Sequence, residues 1–292
     1  MDEQRIGKSL VLADGRRLGF AEYGDPGGQP VFHFHGSGGS RLDRPAREAV
    51  LWEAGIRFIS FDRPGHGISD FQPRRRLADW PQDVCQLADS LGLAQFYVEG
   101  WSAGGPHALS CASQLPDRIQ AVALIASAAP MNRPGAFAGL PLPNWALAAA
   151  ARWAPPLAGL FRWLTRRMLL RDPELASRRL MASIPEADKA VLYEPENLAV
   201  FVQSLSEGFR PGWKGVTQDD VIVRRDWGFE LGSIQVPIDI WHGENDVNVL
   251  PSDARYLGSV LPQARTCFLP GEGHFFVLKR WAEVLSTLVS RR

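Results

Sequence analysis

Short apolar runs alternate along the chain with stretches of helical spacing. Residues 18–23 follow the turn dipeptide Asp14-Gly15 and read as the second arm of an N-terminal hairpin. The pattern then predicts strands at 30–35, 56–61, 96–100 and 119–126, with helices at 44–54, 77–91 and 103–115 between them. In the second of these helices Leu77, Trp80, Val84, Leu87, Ala88 and Leu91 share one face. After a long break the rhythm resumes with a strand at 238–242, a helix at 252–261, a strand at 264–269 and a helix at 275–290. Such alternation with tight loops predicts an α/β fold with a mostly parallel sheet and helices on both faces. No repeat at a solenoid period interrupts it.

The break is itself helical in pattern. It is rich in Pro, Ala, Leu and Trp, and no Val/Ile-rich run appears until residues 221–223. This predicts a core of residues 1–128 and 233–292 with a helical cap, 129–232, inserted between two strands. Charge in the cap is segregated. Residues 152–179 hold seven Arg against two acids, and residues 186–230 hold nine acids against five bases. Solvated helix faces that pair with one another or with water are the reading adopted, ahead of an anionic-ligand site in the basic half. The cap aromatics, among them Trp145, Trp153, Phe161, Trp163 and Phe201, are expected to be cap core more than substrate contacts.

Composition narrows the class. The 292 residues are 45% hydrophobic and 22% charged, an ordinary globule rather than a disordered chain. A chain of this size buries roughly three quarters of its unfolded surface, so it needs no staple. Lys+Arg and Asp+Glu are both 32, which argues against nucleic acid as a partner. Three widely spaced cysteines form neither a disulfide framework nor a zinc site, and they fit a reducing, cytoplasmic setting. The first ten residues do not read as a signal peptide, and no apolar run approaches 18 residues, so no membrane association is expected.

The chemistry centres on Gly100-Trp101-Ser102-Ala103-Gly104. A bare G-x-S-x-G is weak, but this one joins a predicted strand to a predicted helix. A Ser on such a turn is lifted clear of the sheet, and the helix N-terminus beneath it favours negative charge. Ser102 is therefore the candidate nucleophile. The base is expected in the loop after the last strand, at His274 of Gly271-Glu272-Gly273-His274. The orienting acid is expected after residues 238–242, at Asp246, with Glu244 its competitor in the same loop. Backbone N–H groups of Ala103 and of Ser37, in the Gly-rich turn Gly36-Ser37-Gly38-Gly39, are the expected oxyanion donors, with Gly36 and Gly38 as alternatives to Ser37. Gly36 and Trp101 are expected beside the substrate. His33, His35, His66 and His107 are read as structural. No metal site and no cofactor are expected.

Five ordered motifs carry a resemblance: His35-Gly36, Asp62-Arg63-Pro64-Gly65-His66-Gly67-Ile68-Ser69-Asp70, GWSAGG, HGENDVNV and GEGH. Together they resemble the α/β-hydrolase fold with a helical cap, over essentially the whole chain. Ser102 stands where haloalkane dehalogenases and epoxide hydrolases of that fold place Asp, which excludes both chemistries. Proline iminopeptidases typically show HGGPG and GGSWG, and this chain has HGSGG and GWSAGG instead. The resemblance implies a serine hydrolase of a small carboxylic ester. C–C, lactone or prolyl-amide cleavage by the same triad is the alternative, and a non-catalytic scaffold the outside one. The oligomeric state stays open, with a homodimer as one option.

Overall fold

The hairpin forms first along the chain. In the computed structural model, which describes residues 3–291, a short helix α1 (Glu3–Ile6) leads into β1 (Lys8–Val11) and β2 (Arg17–Gly24). Gly15, at φ 84°, turns the chain between them, and its N–H donates to the Leu12 carbonyl at 2.9 Å. Then follow β3 (Gln29–Phe34), α2 (Ala49–Glu53), β4 (Ile56–Phe61), α3 (Trp80–Ser90), β5 (Phe96–Trp101), α4 (Gly104–Gln114) and β6 (Ile119–Ile125). Six helices come next: α5 (Leu142–Trp153), α6 (Pro155–Arg171), α7 (Pro173–Leu180), α8 (Glu186–Leu192), α9 (Pro195–Gly208) and α10 (Lys214–Ile222). The chain ends with β7 (Ile238–Gly243), α11 (Pro251–Val260), β8 (Ala264–Leu269) and α12 (Val277–Ser290).

The eight strands form one sheet in the order β1-β2-β4-β3-β5-β6-β7-β8. β1 and β2 pair antiparallel, β2 joins β4 antiparallel, and every other pairing is parallel. Alternation along each strand divides the core. Phe32, Phe34, Phe96, Val98, Val122 and Leu124 face one layer, built with α3, α4 and α11. Val31, Phe58, Tyr97, Ala123 and Ile125 face the other, built with α2 and α12. Both faces are covered, so the central strands read as near-continuous apolar runs.

One predicted helix is much shorter than its pattern. Residues 44–48 are irregular, and α2 begins only at Ala49. Pro45 disfavours helical backbone at Arg44. Arg44 is buried and donates from Nη1 to the Leu42 carbonyl at 2.8 Å, a local bond that competes with the helix. The cap aromatics also depart from expectation. Trp145, Trp153 and Trp163 are exposed by 42%, 64% and 38%, so these three are not core.

Parallel strands bring the loops after β3, β5, β7 and β8 to a common sheet edge. At the β5–α4 turn, Ser102 adopts φ 56°, a left-handed backbone that costs a non-Gly residue roughly 1–3 kcal/mol. It is held there by its N–H bond to the Ile125 carbonyl at 2.8 Å and by the Ala128 N–H on its own carbonyl at 3.2 Å. Gly104 completes the turn, because a methyl group there would overlap the Phe34 carbonyl of β3. Gly104→Ala is therefore expected to lower stability by more than about 2 kcal/mol. A urea midpoint within error of the parent would disprove this packing role.

Candidate active site

The expected residues converge on one cavity of about 520 Å³. Gly36, Ser37, Trp101, Ser102, Ala103 and His274 all line it. Asp246 lies behind His274, 2% exposed, and its Oδ2 sits 2.7 Å from His274 Nδ1. Its other oxygen accepts the N–H groups of Asn248 at 2.8 Å and Val249 at 3.0 Å, which fixes the carboxylate in the loop after β7. Glu244, two residues earlier, is exposed. Burial and bonding thus distinguish Asp246, the acid the sequence favours, from its competitor Glu244.

Electrostatics distinguish His274 from most of the other histidines. Burial opposes its charged form, but Asp246, and then Asp188, outweigh this, and its pKa is raised above 6.5. His35 and His107 are driven well below 6.5 by burial and by the Arg63 charge. Burial takes His66 down to about 4 despite Asp219. The sequence reading takes all three as structural. His33 behaves differently: burial is outweighed by Glu99 and Asp43, and its pKa rises to about 9.

The Ser102 Oγ has no hydrogen-bond partner among the described residues and opens on the cavity. It shares the wall with His274 without a direct bond. Free geometry of this kind is common before substrate arrives. The N–H groups of Ser37 and Ala103 likewise donate to no acceptor among the described residues. Trp101 stacks beside the His274 ring at 5.8 Å.

Three further groups hold this constellation, and none was expected. Asp188 of α8 is 1% exposed and accepts the His274 N–H at 2.8 Å and the Phe275 N–H at 2.7 Å. Gly273 makes this approach possible, since a Cβ there would overlap the Asp188 carboxylate. Asp219 of α10 accepts from Arg63 Nε at 2.7 Å and bonds Arg75, both buried. Arg63 in turn donates to the His35 carbonyl at 2.6 Å and the Gly36 carbonyl at 3.2 Å. Asp220, the next residue, accepts from Ser37 Oγ at 3.1 Å and from Arg162 Nε of α6 at 2.5 Å. The inserted helices therefore build both the His274 loop and the Gly-rich turn. These acids were hidden among the nine of residues 186–230. The signal that could have exposed two of them is their place beside Val216, Val221 and Ile222 in a helical stretch, where a paired acid is a candidate for burial.

Among the described residues no helix is long and apolar enough to cross a membrane, and no group of three or more His, Cys, Asp or Glu side chains could hold a metal ion.

Burial opposes ionisation of Asp219, yet Arg63 and Arg75 hold its carboxyl well below the usual range. Asp219→Asn would leave two buried guanidinium groups without their shared anion. It is expected to cost about 3–5 kcal/mol, as breaking a buried pair does. Urea unfolding at pH 7.5 measures it, and a loss below about 1 kcal/mol would show the cluster to be dispensable.

Residues 29–280 match the alpha/beta hydrolase fold family. The chain is 28% identical over 273 residues to the dihydrolipoyllysine-residue acetyltransferase component of an acetoin cleaving system from Pseudomonas putida, covering 92% of this chain and 65% of that protein. It therefore spans a little under two thirds of that relative's length. It is 27% identical over 240 residues to a pimeloyl-[acyl-carrier protein] methyl ester esterase from Nitrosomonas europaea, covering 78% of this chain and 85% of that protein. The crystal structure of a hydrolase from Pseudomonas aeruginosa PA01 superposes with a TM-score of 0.72 at 19% identity, covering 97% of each chain. Taken with the strand order and the turn at Ser102, the match over most of the sequence means that the chain belongs to the alpha/beta hydrolase fold family.

Proposed function

We propose that this protein hydrolyses a small carboxylic ester through an acyl-enzyme on Ser102. One observation carries the reading: Ser102, at positive φ, shares a 520 Å³ cavity with a His274 ring bonded to a buried Asp246. The Oγ attacks the carbonyl carbon while His274 Nε2 takes its proton. Asp246, on Nδ1, fixes the tautomer and favours the imidazolium that forms. The oxyanion meets the N–H groups of Ala103 and Ser37, which have no other acceptor to give up. Collapse breaks the ester C–O bond, and His274 returns the proton to the leaving alcohol. Water, deprotonated by the same ring, then attacks the acyl carbon; the acyl–Ser102 bond breaks, His274 returns the proton to Oγ, and a carboxylic acid leaves.

The inserted segment 129–232 acts in this reading as a cap that sets acyl size. Leu147, Phe161, Met181, Phe201 and Leu205 from it give the cavity an apolar wall, and its volume falls in the range of small-molecule sites. The methyl ester esterase named above is a relative whose printed activity agrees with ester cleavage. Three free cysteines fit a reducing compartment, the cytoplasm. The partner in this reading is the small-molecule substrate.

Ser102→Ala is expected to cut kcat on short p-nitrophenyl esters by about 10⁴ or more and to abolish labelling by a fluorophosphonate probe. Asp246→Asn should lose about 10²–10⁴ in kcat, whereas Glu244→Gln should be mild. Labelling that persists in Ser102→Ala, or a reversed order of the two acids, would remove those assignments.

The pH profile is a separate test. His274 must be neutral to act as base, and its pKa is raised by Asp246 against the pull of burial. Activity should therefore rise with pH through an apparent pKa above the ordinary 6.5 and fall away on the acid side. Asp246→Asn should move that limb to lower pH. A flat profile from about pH 5 to 9 would exclude an ordinary imidazole base.

A further inference from the structure

The cavity is apolar over most of its wall, but two guanidinium groups, Arg162 and Arg224, also line it. Both are bound to a single carboxylate. Arg162 gives Asp220 its Nε at 2.5 Å and its Nη2 at 3.0 Å, and Arg224 gives its Nη1 at 3.2 Å. Asp220 is 1% exposed and held ionised, burial being outweighed by these two cations. The cluster therefore carries one positive charge in excess. The charges that act on Arg224 are Asp220, which attracts, and Arg162, which repels. Its Nε and Nη2 take no hydrogen-bond partner among the described residues.

The acids on the cavity wall do not neutralise that excess. Asp43 faces His33 Nε2 at 3.3 Å, and Asp253 pairs with Arg133. Asp43 shares His33 with Glu99, and Asp253 has Arg133, so both face cations other than these two, whereas Arg162 and Arg224 divide one anion. A cation with free donors in an apolar cavity is stabilised by a ligand that brings the missing charge.

Position defines how that ligand relates to the reacting carbonyl. Ser37 offers its backbone N–H to the expected oxyanion, and its Oγ accepts from Arg162 Nη2 at 2.9 Å. One residue therefore spans from the oxyanion donor to the cationic cluster. Resting on the ester-hydrolase reading above, we propose that Arg224 and Arg162 form a subsite for a carboxylate on the substrate, so that the protein takes short half-esters of dicarboxylic acids in preference to neutral esters. Hydrolysis of such a half-ester consumes one water and releases an alcohol and a dicarboxylate. A step that supplies the substrate would be one that esterifies a single carboxyl of a diacid.

The test compares monoethyl glutarate with its neutral primary-amide isostere at pH 7.5, following released ethanol. The expected kcat/KM ratio is tenfold or more in favour of the anion, the scale of one charge-assisted hydrogen bond. Arg224→Met should lower that ratio at least tenfold, mostly through KM, and Arg224→Lys should restore part of it. Direct binding makes the test independent of turnover. By calorimetry, glutarate should bind the wild type at least tenfold more tightly than glutaramide, and Arg224→Met or Arg162→Met should erase the difference.

A ratio near one, or one unchanged in both Met variants, overturns the subsite. If the amide ester is nevertheless turned over and Ser102 is labelled by a fluorophosphonate, the esterase reading survives that failure. If neither ester reacts and nothing labels, the esterase reading falls, and calorimetry decides the subsite. Selective glutarate binding lost in Arg224→Met upholds it, and equal or absent binding overturns it.

Discussion

One buried carboxylate, Asp219, ties the inserted helices to the sheet. It lies at the meeting point of Arg63, Arg75, His66 and His107, none of which belongs to the insertion. A guanidinium as buried as Arg63 is tenable only with an anion at hand. The anion comes from α10, so the segment after β4 and the insertion complete each other. Arg63 passes the constraint onward through the carbonyls of His35 and Gly36 to the turn that presents the Ser37 N–H. A donor proposed for a developing oxyanion must not move when charge appears, and this turn is anchored by an ion pair on one side and by Asp220 on the other.

The same cluster explains the protonation pattern around it. His35, His66 and His107 are all buried near Arg63, whose charge and that of Arg75 a single carboxylate offsets only in part. A further cation there would be repelled, and the rings stay neutral. His274 lies on another loop, and its nearest charges are carboxylates. One fold thus disfavours charge on these three imidazoles and favours it on His274 and His33, by where each acid and each arginine falls.

The insertion supplies more than a wall. Asp188 fixes the backbone at His274, Ser204 accepts the Ser40 N–H at 3.0 Å, and Glu207 bonds Arg41 at 2.6 Å. The turn that presents Ser102 comes from the sheet, while the loops that carry His274 and Ser37 are held by the insertion. The cavity between them is mostly apolar, and Arg162 and Arg224 on its wall share the one carboxylate of Asp220.

The order of strands and helices could be read from the chain because local pattern decides it. Strands buried on both faces leave apolar runs, amphipathic helices leave a 3.6-residue period, and the turn at Ser102 leaves small residues around a serine. Chain order also indicated the candidate nucleophile Ser102, the candidate base His274 and a candidate acid in the loop after β7. The sequence preferred Asp246 to Glu244 by its place at the far end of the loop, but burial and the bond to His274, which distinguish the two physically, come only with the fold. The helix at 44–54 shrank because Pro45 and the buried Arg44 override its spacing. The partners of Asp188, Asp219, Asp220 and Arg63 were not legible locally, because each acts on a residue 28 to 183 positions away, although the apolar neighbours of Asp219 and Asp220 marked those two as candidates for burial. Charge along a sequence reports how many acids and bases there are. Which of them are desolvated together, and so which matter, is set by packing alone.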